Sequence, residues 1–242
     1  MEKQDIIKEF TESVNEASTP RVGEVSPENL ETKNESAPQE INAESTRRPV
    51  LPSIRFYPDP LLREVSKPVE EVNDEVLLKV NILFECLKEY GGIGLSAPQV
   101  GWLDRIFVMN LTGDPEDNLA LINPVVVNQG GKKIAEVEGC LSFPGVYAKV
   151  KRKTHIKVKA LSLKGEPIEF EQSGLMARCI LHELDHLDGM LFIDKVSPIH
   201  KTKLKKPLKA LREYRKAVLN IKGYAEEKQE KESPENVTEA AA

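Results

Sequence analysis

Apolar residues recur along this chain in two rhythms. From Val72 to Tyr90, the residues Val76, Leu77, Val80, Leu83, Phe84 and Leu87 fall three or four apart, which predicts a helix with one apolar face. Asn73 is a suitable N-cap for it, and Gly91-Gly92 a suitable stop. A second helix is predicted to start near Ser173, cover Leu175 to Leu187 and end at Gly189. Leu204, Leu208, Leu211, Tyr214 and Val218 predict a third, amphipathic helix after Pro207, with the stretch just before the proline left open. The other rhythm is shorter. Arg105 to Leu111, Leu119 to Val127, His155 to Leu163 and Pro167 to Glu171 are runs rich in Val, Ile and Phe, predicted as strands. Lys164-Gly165 supplies a hairpin turn between the last two. Strands that follow one another with few helices between them indicate an α+β fold rather than a doubly wound parallel sheet.

The ends lack either rhythm. Residues 1–49 are acidic, rich in Ser, Thr, Asn, Pro and Glu, and poor in aromatics, so they are expected to be disordered, with at most a marginal helix over Ile6 to Val14. Residues 225–242 have the same acidic character. The expected organisation is therefore a catalytic domain over 50–224, including the basic C-terminal helix, between two disordered acidic tails. The net charge of -5 over 242 residues conceals a mildly basic body. Its positive charge gathers between Lys195 and Lys222, where Lys201, Lys203, Lys205, Lys206, Lys209, Arg212, Arg215 and Lys216 face one acid, Glu213. That helix is expected to pack its apolar stripe on the domain, and its basic face fits nucleic acid or an acidic partner as a second reading.

Composition narrows the class. With 40% hydrophobic and 30% charged residues, and no apolar run near the ~18 residues that span a bilayer, no membrane partner is expected. The first residues contain no apolar leader and are too acidic for a transit peptide. An untargeted intracellular protein is the expectation, in a bacterial cytoplasm first and an organelle second. Three cysteines, Cys86, Cys140 and Cys179, make no even disulfide framework.

The sharpest chemical signal is His182-Glu183-Leu184-Asp185-His186. Two histidines at i and i+4 lie one turn apart on the same helix face, so both imidazoles can reach one cation, and Glu183 stands beside them as a base. A catalytic site of this kind needs a third protein ligand and an open position for water. Cys179 lies two turns from His186, roughly 10 Å along the axis, and suits the wall of a pocket better than the metal. Cys86 falls among core-like neighbours, His155 among strand lysines, and His200 in the basic region. Cys140, in Glu138-Gly139-Cys140-Leu141-Ser142-Phe143-Pro144-Gly145, is bracketed by residues that let the backbone turn and expose N–H groups near the sulfur. It is the preferred third ligand. Gly91-Gly92-Ile93-Gly94-Leu95-Ser96-Ala97-Pro98-Gln99 lacks the ending of a phosphate loop. Its glycines instead permit the close approach of an extended ligand, and Gln99 offers a side-chain amide.

Together the segments Gly92 to Gln99, Glu138 to Ser142 and His182 to His186 resemble, in order and spacing, the peptide deformylase family, over about Leu51 to Leu219. The resemblance implies antiparallel β-sheets around a central metal-binding helix. It implies hydrolysis of the formyl group from the initiator methionine of nascent polypeptides, releasing formate. Cys140, His182 and His186 would hold one divalent ion, Fe(II) first, with Zn, Ni or Co as other occupants. Glu183 would be general base and acid, and Gln99 with the Leu141 N–H would bind the formyl oxygen. Ile93 and Gly94 would pair with the substrate peptide, while Leu175, Arg178 and Cys179 would border it. A C-terminal helix of this kind implies contact with the ribosome. Three departures stand out: Ser96 where Ala is frequent, Leu181 where Gln is frequent, and Tyr147 where some members carry Arg. None removes a catalytic group, and Ser96 is expected to be a tolerated small residue. A zinc peptidase and a non-catalytic metal-binding relative are the alternative readings. Cys140 argues against the first, and Glu183 against the second.

Overall fold

The computed structural model describes residues 51–231; the segment 1–49, with its marginal helix, and residues 232–242 of the second tail lie outside that range. Helix α1 (Asp74–Tyr90) begins where the Asn73 side chain accepts a hydrogen bond from the Val76 N–H, with Asp74 and Glu75 complementing the helix dipole in the first turn. It ends at Gly91, whose φ of 66° is left-handed and lets its N–H reach the carbonyls of Leu87 and Lys88. Val76, Val80, Leu83, Cys86 and Leu87 are buried, so the helical stripe is the buried face.

Five strands form one antiparallel meander in chain order: β1 (Gly94–Ser96), β2 (Ile106–Met109), β3 (Leu119–Glu138), β4 (Ala148–Leu161) and β5 (Pro167–Ser173). Among the described residues β1 pairs only with β2, which leaves its other edge without a partner strand. The turn at Lys164-Gly165 joins β4 to β5, with Gly165 at φ 76° and its N–H bonded to the Ser162 carbonyl. β3 continues well beyond Val127, where the alternation stops, and β4 starts seven residues before His155. Most of residues 127–137 are exposed. With neither face buried they need no apolar period, and the main-chain ladder to β4 holds them, with a register shift between Gly130 and Lys133.

Helix α2 (Gly174–Leu187) lies across this sheet, with every residue from Ala177 to Leu187 buried. A helix enclosed on all sides belongs in a molecule's centre, and here Ala177, Ile180, Leu184 and Leu187 pack against Phe107, Leu121, Ile156 and Val158 of the sheet. Helix α3 (Pro198–Lys231) runs through Pro207 and starts nine residues earlier than the proline. Leu204 and Leu211 are both buried beside Tyr57, Phe143 and Phe192, with Leu208 packed against the same cluster. That shared face keeps the helix continuous across the backbone hydrogen bond a proline removes. It also extends to Lys231, past the boundary at 224 suggested by composition; Glu and Lys, abundant there, are good helix formers. The architecture is α+β, an antiparallel sheet around the histidine-bearing helix with a C-terminal helix outside.

Candidate metal centre and substrate cleft

Three donor atoms converge where α2 meets the turn between β3 and β4. The sulfur of Cys140 and one ring nitrogen each from His182 and His186 all lie within 4.8 Å of one another. Cys140 Sγ is 3.1 Å from His186 Nε2. The i, i+4 spacing puts the two rings on one face of α2, 5.3 Å apart between centroids. The donor atoms of a tetrahedral ion bound by one sulfur and two nitrogens stand roughly 3.3–3.6 Å apart, from bond lengths of about 2.3 and 2.05 Å. The cluster is compatible with that spacing.

The two imidazoles sit in opposite electrostatic settings. Burial opposes a charge on His182, but hydrogen bonds to Cys140 and Glu138 outweigh it and push its pKa up to about 10. Burial and the neighbouring His182 charge hold His186 well below the usual imidazole range. His186 Nδ1 is buried without a partner among the described residues. A thiol and two imidazoles make a donor set suited to a divalent ion.

A buried ion network orients this trio. His182 Nδ1 lies 3.1 Å from Glu138 Oε2, an outer contact that fixes the ring. Glu138 accepts two hydrogen bonds from Arg152, at 2.6 and 2.7 Å, and one from Arg178 at 2.6 Å. Arg152 also donates to Asp185 at 2.8 Å and to the Leu181 carbonyl at 3.2 Å; Lys195 completes Asp185 at 2.5 Å. Burial raises the Glu138 carboxyl, yet Arg152 and His182 win and hold it at about 2. Sequence reasoning quoted Glu138 and Asp185 within motifs but assigned them no role, and missed Arg152. The signals were an acid near the cysteine and another between the two histidines, but their arginine partner on β4 meets them only through the β3–β4 pairing and its packing on α2.

Next to the trio opens a cleft of about 910 Å³. Glu183, Gln99 and Leu141 line it with Cys140 and His182, whereas His186 is not on its wall. Ile93, Gly94, Leu175, Arg178 and Cys179 line it as well. Arg178 is committed elsewhere, its guanidinium donating to Glu136, Glu138 and the carbonyls of Ile134 and Val150. Ile54, Phe56, Val137 and Phe143 add apolar wall that the sequence did not reveal. Tyr147 stands at the rim, 57% exposed. Burial pushes the Glu183 carboxyl up, opposed by His182 and by a hydrogen bond from the Ser96 hydroxyl. Gln99 accepts from the Ser96 N–H at 2.9 Å, which turns its Nε2 toward Cys140 Sγ at 3.5 Å and Ser142 Oγ at 3.2 Å. The Leu141 N–H, in the turn that carries Cys140, has no acceptor among the described residues. Gly94 is where β1 meets α2: an added Cβ would stand 2.5 Å from Glu183 Oε1 and 2.8 Å from Cys179 Sγ.

Fold and site thus define a class, an α+β protein with a Cys-His-His donor cluster suited to a divalent ion and a buried carboxylate beside an open cleft. Residues 51–202 match the polypeptide deformylase family model, and the chain belongs to that family. It is 44% identical over 159 residues to the peptide deformylase of Neisseria gonorrhoeae, covering 66% of this chain and 95% of that protein. The relative from Hydrogenovibrio crunogenus is 45% identical over 150 residues, 62% of this chain and 88% of its own. Among solved structures, the plant peptide deformylase PDF1B superposes with a TM-score of 0.67 at 35% identity, covering 71% of this chain and 95% of that one. A Plasmodium falciparum peptide deformylase gives 0.65 at 38%, covering 67% and 97%.

Proposed function

We infer that this chain is an enzyme that hydrolyses the formyl group from N-formylmethionyl peptides, releasing formate and a free amine. The observation that carries this reading is the union of family membership with the Cys140, His182, His186 and Glu183 cluster at one end of a peptide-sized cleft. Cys140, His182 and His186 would hold one divalent ion. Such an ion, when bound, polarises the formyl carbonyl and makes water more acidic. The family resemblance implies Fe(II) at this site, with zinc, nickel or cobalt as alternatives that the same donors would also accept.

The protein's own groups do the rest. Glu183 takes the proton of the attacking water and returns it to the departing nitrogen, a task matched to a carboxyl raised by burial. The Gln99 amide and the Leu141 N–H donate to the formyl oxygen as it gains charge. The open edge of β1 at Ile93 and Gly94 receives the peptide backbone as an added strand. Leu175, Cys179 and the apolar wall take the methionine side chain, and Arg178 braces that wall through Glu136 and Glu138.

The exposed lysines of α3 support docking at the ribosome, where such peptides emerge. The Neisseria and Hydrogenovibrio relatives favour a bacterial cytoplasm over an organelle; among the described residues no helix is long and apolar enough to cross a membrane.

The test is formate release from formyl-Met-Ala-Ser under anaerobic conditions with Fe(II). Wild type is expected to release formate. Glu183→Ala is expected to lose on the order of 10²- to 10⁴-fold in kcat while retaining bound metal. Equal rates would overturn the assignment of the base, and cleavage of unformylated Met-Ala-Ser would indicate a peptidase instead.

A further inference from the structure

Ser96 touches two groups of the reaction at once. It is fully buried, and it is the last residue of β1, three positions before Gln99. Its N–H holds the Gln99 side-chain oxygen at 2.9 Å. Its hydroxyl donates to Glu183 Oε2 and lies 3.3 Å from the Glu183 carbonyl oxygen. A hydroxyl carries one proton, and the carboxylate, bearing charge, is the stronger acceptor.

We propose that Ser96 is a positioning residue for the reaction inferred above, its hydroxyl fixing the carboxylate of Glu183 so that Oε1 alone faces the attacking water. The rest of the surroundings supports this. Oε1 lies against Gly94, so close that a methyl group could not fit there. Oε2 is tied to Ser96, and Ser96 is itself clamped by β2 through the Ser96–Phe107 pairing. The carboxylate is therefore held at one oxygen by a rigid strand and confined at the other by a glycine. Without the hydroxyl it could rotate about its last side-chain bond within the cleft. Errors of this kind in placing a reacting group cost rate rather than substrate affinity. An alanine at this position keeps the fold of the strand but gives up the anchor, so serine is not an interchangeable small residue in this chain.

This inference rests on Glu183 being the base, and the experiment separates the two. Steady-state kinetics on formyl-Met-Ala-Ser, metal content and thermal melts are measured for the metal-loaded full chain, wild type, Ser96→Ala, Glu183→Gln and the double variant. Ser96→Ala is expected to lower kcat about 10- to 100-fold, with KM within about twofold and metal content and melting unchanged. In the Glu183→Gln background the same change is expected to have no further effect, because the group it positions is gone. An unchanged kcat in Ser96→Ala, or an equal loss in both backgrounds, would overturn the proposal. If Glu183→Gln keeps the wild-type rate, the base assignment falls and this inference with it. Packing is controlled by the shape-matched pair Ser96→Thr and Ser96→Val: the threonine is expected to keep the rate and the valine to lose it, and equal rates would count against the hydroxyl.

Discussion

At the scale of single residues, the site depends on how closely β1 approaches α2. Gly94 is the point of contact, and any side chain there must displace Glu183 or Cys179, whose atoms stand 2.5 and 2.8 Å from the position a Cβ would take. Gly94→Ala is expected to cost about 1–3 kcal/mol of stability, the usual range for overpacking a dense site. It is also expected to reduce kcat by at least tenfold while KM moves less, since Glu183 is the group pushed. Urea unfolding and steady-state kinetics check both, and a variant of wild-type rate would show that Glu183 has room to spare. The convergence of Cys140, His182 and His186 was legible because helical spacing alone sets His182 beside His186, and because few residues competed with Cys140. Ser96 was not legible as anything but a small filler. Its partner Glu183 lies 87 positions away, and only the packing of β1 on α2 makes them neighbours.

Elements were legible in proportion to how one-sided their burial is. α1 follows this rule, with a capping side chain and one apolar face, whereas α2, buried on all sides, was legible from the Ser173 and Gly189 that bracket it; both fall within a residue or two of where pattern puts them. β1, three residues long, is too short to carry a period, and the outer half of β3 has no buried face to write one. For α3 the pattern gave the right face but a late start, because a proline reads as a boundary until Leu204 and Leu211 are seen in one cluster. That packing decides how ribosome docking should be tested. Deleting residues 201–242 would uncover Phe143 and Phe192 and confound binding with folding. The exposed residues Lys203, Lys206 and Lys209 are separable from the core, whereas Arg212 is bonded to the Tyr57 hydroxyl and Arg215 to Asp59. The triple charge reversal Lys203→Glu, Lys206→Glu, Lys209→Glu is expected to abolish co-sedimentation with ribosomes at low salt and leave turnover of a free tripeptide unchanged. Wild-type binding itself should weaken steeply as salt rises, as contacts to phosphate do. Co-sedimentation that survives the reversal would remove α3 as the docking element.

Across the whole molecule, the network of Glu138, Arg152, Asp185, Arg178 and Lys195 ties the sheet, the central helix and the segment before α3 into one unit. Its energetics are dominated by the need to keep buried charges paired, so loss of one partner is more harmful than the pair is helpful. Glu138 exposes this to measurement. Its pKa is about 2 in the folded protein against an ordinary value of 4.5. A carboxyl held lower when folded stabilises the fold fully above its unfolded pKa and loses that contribution as pH falls toward the folded value. The contribution is on the order of 3 kcal/mol, since each unit of pKa difference is worth about 1.4 kcal/mol. Glu183 works in the opposite sense, because burial raises it and its cost disappears in acid, whereas His186, buried neutral, costs the fold stability as pH falls through the ordinary imidazole value. The wild-type curve alone therefore mixes several groups. Subtracting the curve of Glu138→Gln isolates one. The stability gap between wild type and variant, from urea unfolding of metal-free protein, is expected to be widest between about pH 5 and 6, below the range in which His182, which Glu138 helps to raise, loses its proton, and to shrink steadily between pH 4.5 and 2. A gap that stays constant through that window would mean that Glu138 is not depressed, and that Arg152 holds the sheet to α2 by geometry without the charge.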